Sequence, residues 1–193
     1  LVLKRPAIKI KAKPLKKNVF EDPLKPMQSK FLGLPFFPIS KQYPKDKDGN
    51  CMIMIAQINF SEIPPILDLP KSGILQLFIS PDNWWDDNYS IVFHKGEELI
   101  QQNICDFSFL HQNDYQESPV HRIHNLYFEK SQENGGFEDS TFDFLFDGKP
   151  LWEFVEELNE EEQENVYSYF DASGHKIGGY ADFTQSDPRD YDS

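Results

Sequence analysis

The stretch CMIMIAQINF (51–60) decides the fold of this chain, because ten consecutive residues there are almost wholly apolar. Gln57 and Asn59 are its only amide side chains. A short apolar run that is bounded by turn residues and prolines is typical of a strand buried on both faces. A buried amide needs hydrogen-bond partners, so we expect Gln57 to bond the backbone of the sheet or of a neighbouring loop.

Four more runs predict strands that pair with this one. The first two are also buried, whereas the last two alternate between apolar and polar residues and have one solvated face. They are GILQLFIS (73–80), NYSIVFH (88–94), VHRIHNLYFEK (120–130) and STFDFLFD (140–147). Near the start, Ile8, Ile10 and Ala12 alternate with lysines, which indicates a strand with one solvated face more than a basic patch for nucleic acid or lipid.

Helices are predicted only late in the chain. DGKPLWEFVEEL (147–158) starts one, with Pro150 near its first turn, and residues 160–170 form a second. In the second helix we expect Val166, Tyr169 and Phe170 to face inward. Strands separated by proline-rich loops and followed by helices predict an α+β fold built mainly on antiparallel sheet.

Composition excludes several classes of function. The chain has 193 residues, a net charge of −13 and a pI of about 4.7, which argues against general affinity for nucleic acid or anionic membrane. No apolar run reaches the roughly 18 residues that a membrane span needs, and we expect a cytoplasmic protein. Cys51 and Cys105 lack metal-ligand spacing, so we expect two buried thiols in a reducing compartment.

No catalytic or metal-binding motif is present. HExxH, Gly-x-Ser-x-Gly, Walker A and GxGxxG patterns are all missing, so the sequence predicts no catalytic residue, metal or cofactor. His121 and His124 are three residues apart on a predicted strand, and this spacing points them to opposite faces. His94 and His175 each follow a predicted element, and we expect them to be capping or surface residues.

Two segments of the chain resemble each other. SKFLGLPFFP (29–38) and HKIGGYADFT (175–184) match at a constant offset, in a basic residue, a glycine and the apolar residues beside them. The matched pairs are Lys30 with Lys176, Phe31 with Ile177, Gly33 with Gly179, and Leu34 with Tyr180. If the segments are duplicates, both glycines should have a positive φ, because the same backbone path requires the same permissive residue.

An ordered series of blocks resembles the YwqG-like family of bacterial proteins of unknown function. The blocks are SKFLGLP (29–35), IAQINF (55–60), GILQLF (73–78), VHRIHNLYFEK (120–130) and HKIGGYADFTQSDPR (175–189). The resemblance implies one domain over 1–193 with a duplicated architecture, its first half at about 7–130 and its second opening near 140–193 and truncated. It also implies that residues 187–193 are a loop severed from its strands. Leu32 stands where the family usually has a second glycine.

The missing catalytic motifs, the strong acidity and the tryptophan-bearing loop NWWDDNYS (83–90) favour a protein without catalytic activity, and members of the resembled family look as if they are sometimes encoded near secreted toxins. Our leading hypothesis is an interaction protein that binds a protein partner, for example a basic toxin, through an acidic surface. The alternative is a binder of a small anionic ligand, or an enzyme, with a cleft between the duplicated halves. Candidate binding residues under these hypotheses are Lys30, Gln57, Trp84, Trp85, His175, Lys176, Gln185 and Arg189.

Overall fold

The computed structural model describes residues 4–66, 69–82, 85, 88–142, 145–184, 187 and 189. The chain divides into two compact units. The larger unit is Lys11–Tyr127, and the smaller unit combines Leu1–Ile10 with Phe128–Ser193. The predicted division into halves at about 7–130 and 140–193 stays a prediction.

The larger unit is built on an antiparallel sheet. After β1 (Arg5–Pro14) along the chain come β2 (Lys30–Phe31), β3 (Ile53–Asn59), β4 (Ile74–Ile79), β5 (Tyr89–His94) and β6 (His124–Glu133). The strand order here is β5-β4-β3-β2-β6, and each pair of neighbours is antiparallel. The predicted antiparallel architecture is therefore confirmed, with β2 as a short strand that the sequence did not indicate.

The core of the larger unit explains why the stretch 51–60 is apolar. Ile53, Met54 and Phe78 are at most 1% exposed, and they pack with Phe37 and Tyr43 from the preceding loop. Full burial of such a side chain contributes about 1.5–3 kcal/mol. The three predicted strands of this region are thus confirmed, each one or two residues shorter at its ends than the sequence indicated.

The helices lie in the smaller unit. A two-stranded ribbon, β7 (Leu145–Phe146) and β8 (Lys149–Pro150), precedes α1 (Leu151–Glu156) and α2 (Glu160–Tyr169). A capping box starts α2, in which Asn159 accepts a hydrogen bond from the Glu162 amide at 3.0 Å. Within the described part of the chain, no helix is long and apolar enough to cross a membrane.

The two helices share a small apolar core, and one prediction about its members is wrong. Leu151, Val155 and Phe170 are buried there, with Val166 half-buried beside them. Tyr169 was expected to face inward but is 52% exposed. Val166 and Phe170 are four residues apart and occupy the inner face. Tyr169 lies about 100° around the helix from Phe170 and therefore points toward solvent.

The predicted strand 140–147 is also wrong, apart from the two residues of β7. The Asp139 side chain accepts hydrogen bonds from the amide and hydroxyl of Thr141, at 2.9 and 2.6 Å. The Phe142 amide then donates to the Asp139 carbonyl at 2.8 Å, which closes a turn. Residues 143–144 lie outside the described residues. Side-chain hydrogen bonds to the local backbone therefore replace the strand that the alternating pattern suggested.

The last strand, β9 (Lys176–Gly178), pairs with β1 in the smaller unit. Ile8 of β1 is fully buried, whereas Lys9, Lys11 and Lys13 are exposed. The predicted strand with one solvated face is therefore confirmed. The pairing of Lys9 with Lys176 puts the segment 175–184 at the sheet of this unit.

Candidate functional site

The first of the two similar segments forms a buried ion pair in the larger unit. The Lys30 ammonium donates to Asp22 Oδ2 at 2.8 Å and to the Leu34 carbonyl at 3.0 Å. The same carboxylate oxygen accepts the Leu34 amide at 3.0 Å. Both charged side chains are at most 2% exposed. Burial lowers the pKa of Lys30, and the Asp22 carboxylate opposes that shift.

The second segment makes the same arrangement in the smaller unit. The Lys176 ammonium donates to both oxygens of Glu133 at 2.9 Å and also to the Ala172 carbonyl. Glu133 Oε2 accepts the Tyr180 amide at 2.7 Å. In each segment, one carboxylate thus binds a lysine and the backbone amide four residues after it. We call these arrangements the Lys30 loop and the Lys176 loop.

The glycines of the two loops meet the same requirement. The φ of Gly33 is +94° and that of Gly179 is +75°, which confirms the prediction of two positive values. A Cβ on Gly33 would lie 2.4 Å from Asp22 Oδ2, and one on Gly179 would lie 2.2 Å from Glu133 Oε2. Both the backbone conformation and the close approach of the carboxylate therefore require glycine.

Leu32 shows how the chain departs from a second glycine in the Lys30 loop. Its φ is +57°, and the corresponding Gly178 of the Lys176 loop has a φ of +76°. The left-handed region is accessible to a residue with a side chain, although uncommon. Leu32 is only 4% exposed and lies in the apolar core, so burial of its side chain offsets the backbone cost.

Gln57 belongs to a network of buried amides that crosses β3, β4 and β5. Its side-chain amide donates to the carbonyls of Pro26 and Gln28 at 2.7 and 2.8 Å, as expected for a buried glutamine. Its Oε1 accepts from the Phe36 amide and from Gln76 Nε2, at 2.9 and 2.8 Å. Gln57 therefore holds two loops against the sheet, with every polar atom satisfied.

His94 ends this network and is fully buried, so the expectation of a capping or surface residue is wrong. Its Nε2 lies 2.9 Å from Gln76 Oε1, and since Gln76 Nε2 already donates to the Phe36 carbonyl, the histidine must be the donor. His94 Nδ1 has no hydrogen-bond partner among the described residues, and the Glu98 carboxylate is 3.5 Å away. Burial, and after it the charge of Lys41, lowers the pKa of His94.

Arg189 is held by carboxylates of the smaller unit. Its guanidinium donates to both oxygens of Asp187 and, at 2.9 Å, to Asp139 Oδ1. Asp187 is 3% exposed, and hydrogen bonds from Arg189 hold its pKa well below the usual range. The expectation that residues 187–193 are a loop severed from its strands stays a prediction, since of this segment the structure describes Asp187 and Arg189 alone.

The remaining candidate residues are Trp84, Trp85, His175 and Gln185. Trp84 and Gln185 lie outside the described residues, Trp85 is 64% exposed, and His175 is exposed with its carbonyl bonded to the Ile10 amide at 2.8 Å. Lys30 and Gln57 belong to the larger unit, whereas His175, Lys176 and Arg189 belong to the smaller one. The three candidate cations each have a carboxylate partner within their own unit. No group of three or more metal-ligating side chains occurs among the described residues.

The helical part of the smaller unit presents an exposed surface of aromatic and acidic side chains. Trp152, Tyr167 and Tyr169 are each more than 50% exposed on α1 and α2. Residues 145–172 contain nine Asp and Glu against one lysine, and that lysine, Lys149, is paired with Glu157. We call this the acidic aromatic surface. In the sequence, the run EELNEEEQEN (156–165) is typical first of a solvated helix face and second of a binding patch for a basic partner, whereas nothing indicated the exposed aromatic residues.

Cys105 is exposed and Cys51 is half-buried, so the expectation of two buried thiols is wrong for Cys105. Cys105 lines two neighbouring cavities of the larger unit, of about 250 and 400 Å³. Leu34 and Phe107 also line both cavities. The charged residues lining them are Asp22 and Asp106. Asp22 is held in the buried ion pair with Lys30, so exposed Asp106 is the charged side chain that these cavities present to a ligand.

Comparison with known proteins gives a family and no activity. A family model described as a domain of unknown function (DUF1963) matches residues 29–193. No curated protein matches the chain. The predicted resemblance to a family of unknown function is confirmed at that level, and the YwqG-like name stays a prediction.

Proposed function

We propose that this chain, which belongs to the DUF1963 family of domains of unknown function, is an interaction protein that binds a basic protein partner through its acidic aromatic surface. The observation that carries the proposal is the exposure of Trp152, Tyr167 and Tyr169 beside the glutamates of α1 and α2. Trp152 lies on α1 and Tyr167 and Tyr169 lie on α2, and exposed aromatic side chains among glutamates are candidate contacts for a protein partner.

The chemistry of this surface suits a basic partner. Tyrosine and tryptophan offer large apolar contact areas with a polar edge, and they are enriched at protein interfaces. Exposed Glu156, Glu160, Glu161 and Glu164 give the surface a negative field that attracts a basic protein and speeds its association. Arginines of the partner would satisfy both features, since they bind carboxylates and stack on aromatic rings.

Neutralisation of a toxin is a specific form of this proposal. A basic nuclease, or a toxin that acts on membranes by its positive charge, is masked when an acidic protein covers its charged face. A cytoplasmic location, which stays a prediction, is where such a nuclease would have to be intercepted.

Binding of a small anionic ligand, the alternative, has less support. Lys30, Lys176 and Arg189 would supply the positive charge, but each already binds a carboxylate of its own unit. An anion would have to displace that carboxylate or add to a neutral pair. A thermal-shift screen with phosphate- and carboxylate-bearing compounds tests this alternative, because a bound ligand raises the midpoint of unfolding.

The direct test is affinity capture from the organism of origin, at low and at moderate salt. The immobilised wild-type chain is compared with a Trp152→Ser, Tyr167→Ser variant that lacks two aromatic anchors. The matched control is Ile100→Ser, Tyr127→Ser, which removes two exposed apolar side chains from the larger unit. We expect a basic protein that binds the wild type and the control but not the aromatic variant. Capture that is equal for all three chains, or that occurs only as bulk attraction at low salt, would refute the proposal.

A further inference from the structure

The strand β5 forms an open edge of the sheet in the larger unit. It is the terminal strand in the order β5-β4-β3-β2-β6, and its register with β4 runs from Tyr89 opposite Ile79 to His94 opposite Ile74. The Ser80 amide donates to the Asn88 carbonyl at 2.9 Å, which continues the ladder by one residue. The position of that bond fixes which backbone groups of β5 point toward β4.

Hydrogen-bonded pairs alternate along an antiparallel ladder. Because residues 80 and 88 form such a pair, Ser90, Val92 and His94 also bond β4, and Tyr89, Ile91 and Phe93 direct their N–H and C=O groups outward. Within the described part of the chain, these three residues have no hydrogen bond on the outer side. A row of unpaired backbone groups of this kind is a template for another strand.

The side chains of this edge offer none of the usual protection against pairing. Natural edge strands are guarded by lysines, prolines or bulges, and residues 88–94 contain no charged residue and no proline. Tyr89 is 56% exposed and Ile91 is 63% exposed, on the sheet face that also carries Phe93 and the half-buried Leu75 and Leu77. An additional strand would therefore gain apolar contacts as well as backbone hydrogen bonds.

The order of residues along β5 points to the identity of that strand. Tyr89-Ser90-Ile91-Val92-Phe93 is a near palindrome about Ile91, with an aromatic residue at each end and a small or β-branched residue next to the centre. An antiparallel copy centred on Ile91 sets each Tyr89 opposite the other copy's Phe93 and the two isoleucines opposite each other. These aromatic and β-branched pairs are the favourable cross-strand combinations. We infer that β5 pairs with β5 of a second copy of this chain about a two-fold axis.

The charges at the two ends of β5 are compatible with this pairing. Exposed Lys95 follows the strand at one end, and exposed Asp82 lies two residues beyond Ser80 at the other end. Antiparallel pairing brings the Lys95 end of each copy to the Asp82 end of the other. The net charge of −13 on each chain opposes association, so the dimer should strengthen when added salt screens that repulsion. Binding of a basic partner should weaken under the same change, which separates the two interactions experimentally.

The first experiment measures the mass of the full chain over a range of concentrations by sedimentation equilibrium. The variant Ile91→Lys places a charge at the centre of the edge, and Ile100→Lys is its control because Ile100 is 86% exposed and is not part of β5. We expect a concentration-dependent dimer for the wild type and the control, and a dissociation constant raised at least about tenfold by Ile91→Lys. A wild type that stays monomeric, or a dimer that Ile91→Lys leaves unchanged, would overturn the inference.

The second experiment tests the register. In a Cys51→Ala, Cys105→Ser background, Ile91→Cys puts two thiols opposite each other, at a Cα separation within the range of a disulfide. Tyr89→Cys faces Phe93 of the other copy and has no thiol opposite it. We expect Ile91→Cys to form covalent dimers under mild oxidation much faster than Tyr89→Cys. Equal cross-linking of the two variants would show that the strands do not pair about Ile91, and a covalent dimer from neither would show that they do not pair.

Discussion

Removal of the Lys30 ammonium should strongly destabilise the larger unit. Lys30→Met preserves most of the side-chain volume but deletes the hydrogen bonds to Asp22 and to the Leu34 carbonyl. The Asp22 carboxyl group would stay buried, at 2% side-chain exposure, with the Leu24 and Leu34 amides as its remaining partners. Loss of one member of a buried ion pair costs about 3–5 kcal/mol of unfolding free energy.

A second substitution separates the uncompensated charge from the lost packing. In Asp22→Asn, Lys30→Met no buried charge remains, and the asparagine oxygen can still accept a backbone amide. We therefore expect the double variant to be more stable than Lys30→Met alone, by about 1–3 kcal/mol. Urea unfolding followed by circular dichroism measures both free energies, with Lys25→Met as a control because Lys25 is exposed. A cost below about 1 kcal/mol for Lys30→Met, or a double variant less stable than the single one, would refute the reasoning.

Three further predictions concern stability. Gly179→Ala should lower the free energy of unfolding by at least about 1–2 kcal/mol more than Gly148→Ala does. Both glycines have a positive φ, but only at Gly179 does the new Cβ meet a carboxylate. Urea unfolding measures both changes, and equal changes would contradict the close approach. Gln57→Leu should lower the free energy of unfolding by about 2–4 kcal/mol, since it leaves the Pro26 and Gln28 carbonyls and the Phe36 amide unpaired. A near-neutral effect in the same assay would show that these hydrogen bonds do not stabilise the fold. The pKa of His94 is lower in the folded chain than its unfolded value of about 6.5, so the unfolded chain binds the proton first as pH falls. The free energy of unfolding should therefore be independent of His94 protonation above about pH 6.5 and should decrease as pH falls below that value. His94→Gln should therefore flatten the stability profile between about pH 5 and 7, and an unchanged slope would contradict the burial of a neutral histidine.

Patterns of local sequence predicted most of the elements. The apolar runs became β3, β4 and β5, and Pro150 directly precedes α1, because these patterns reflect burial and backbone geometry within a few residues. The pair Gly33 and Gly179 was also predictable, since a shared backbone path demands a shared permissive residue.

The partners of the charged residues could not be predicted in the same way. Asp22 and Glu133 lie 8 and 43 residues before the lysines that they bind, and neither spacing forms a motif. The buried ring of His94 has its hydrogen-bond partner, Gln76, on the neighbouring strand β4. The residues around His94 in the sequence do not reveal that partner. The turn at Asp139 replaced a predicted strand because a carboxylate competed for backbone amides, which an alternating pattern does not reveal.

The similarity of the two lysine loops supports the proposal of an internal duplication. In each loop, a buried carboxylate binds the lysine ammonium and the amide four residues later, beside consecutive residues with positive φ. The carboxylate comes from a different place in the chain in each case, from Asp22 before the strand and from Glu133 at the end of β6. The loops therefore share a geometry and a chemistry, and we assign them a structural role in stabilising each unit.

If the acidic aromatic surface binds a basic protein, that binding should depend on salt and on the exposed glutamates of α2. With the captured partner, the dissociation constant is measured from about 50 to 200 mM salt for the wild type and for Glu160→Gln, Glu161→Gln, Glu164→Gln. These exposed glutamates leave the capping residue Glu162 intact. The account predicts weaker binding by the variant at low salt and a shallower loss of affinity as salt rises. Equal affinities and equal salt dependence for the two chains would contradict it.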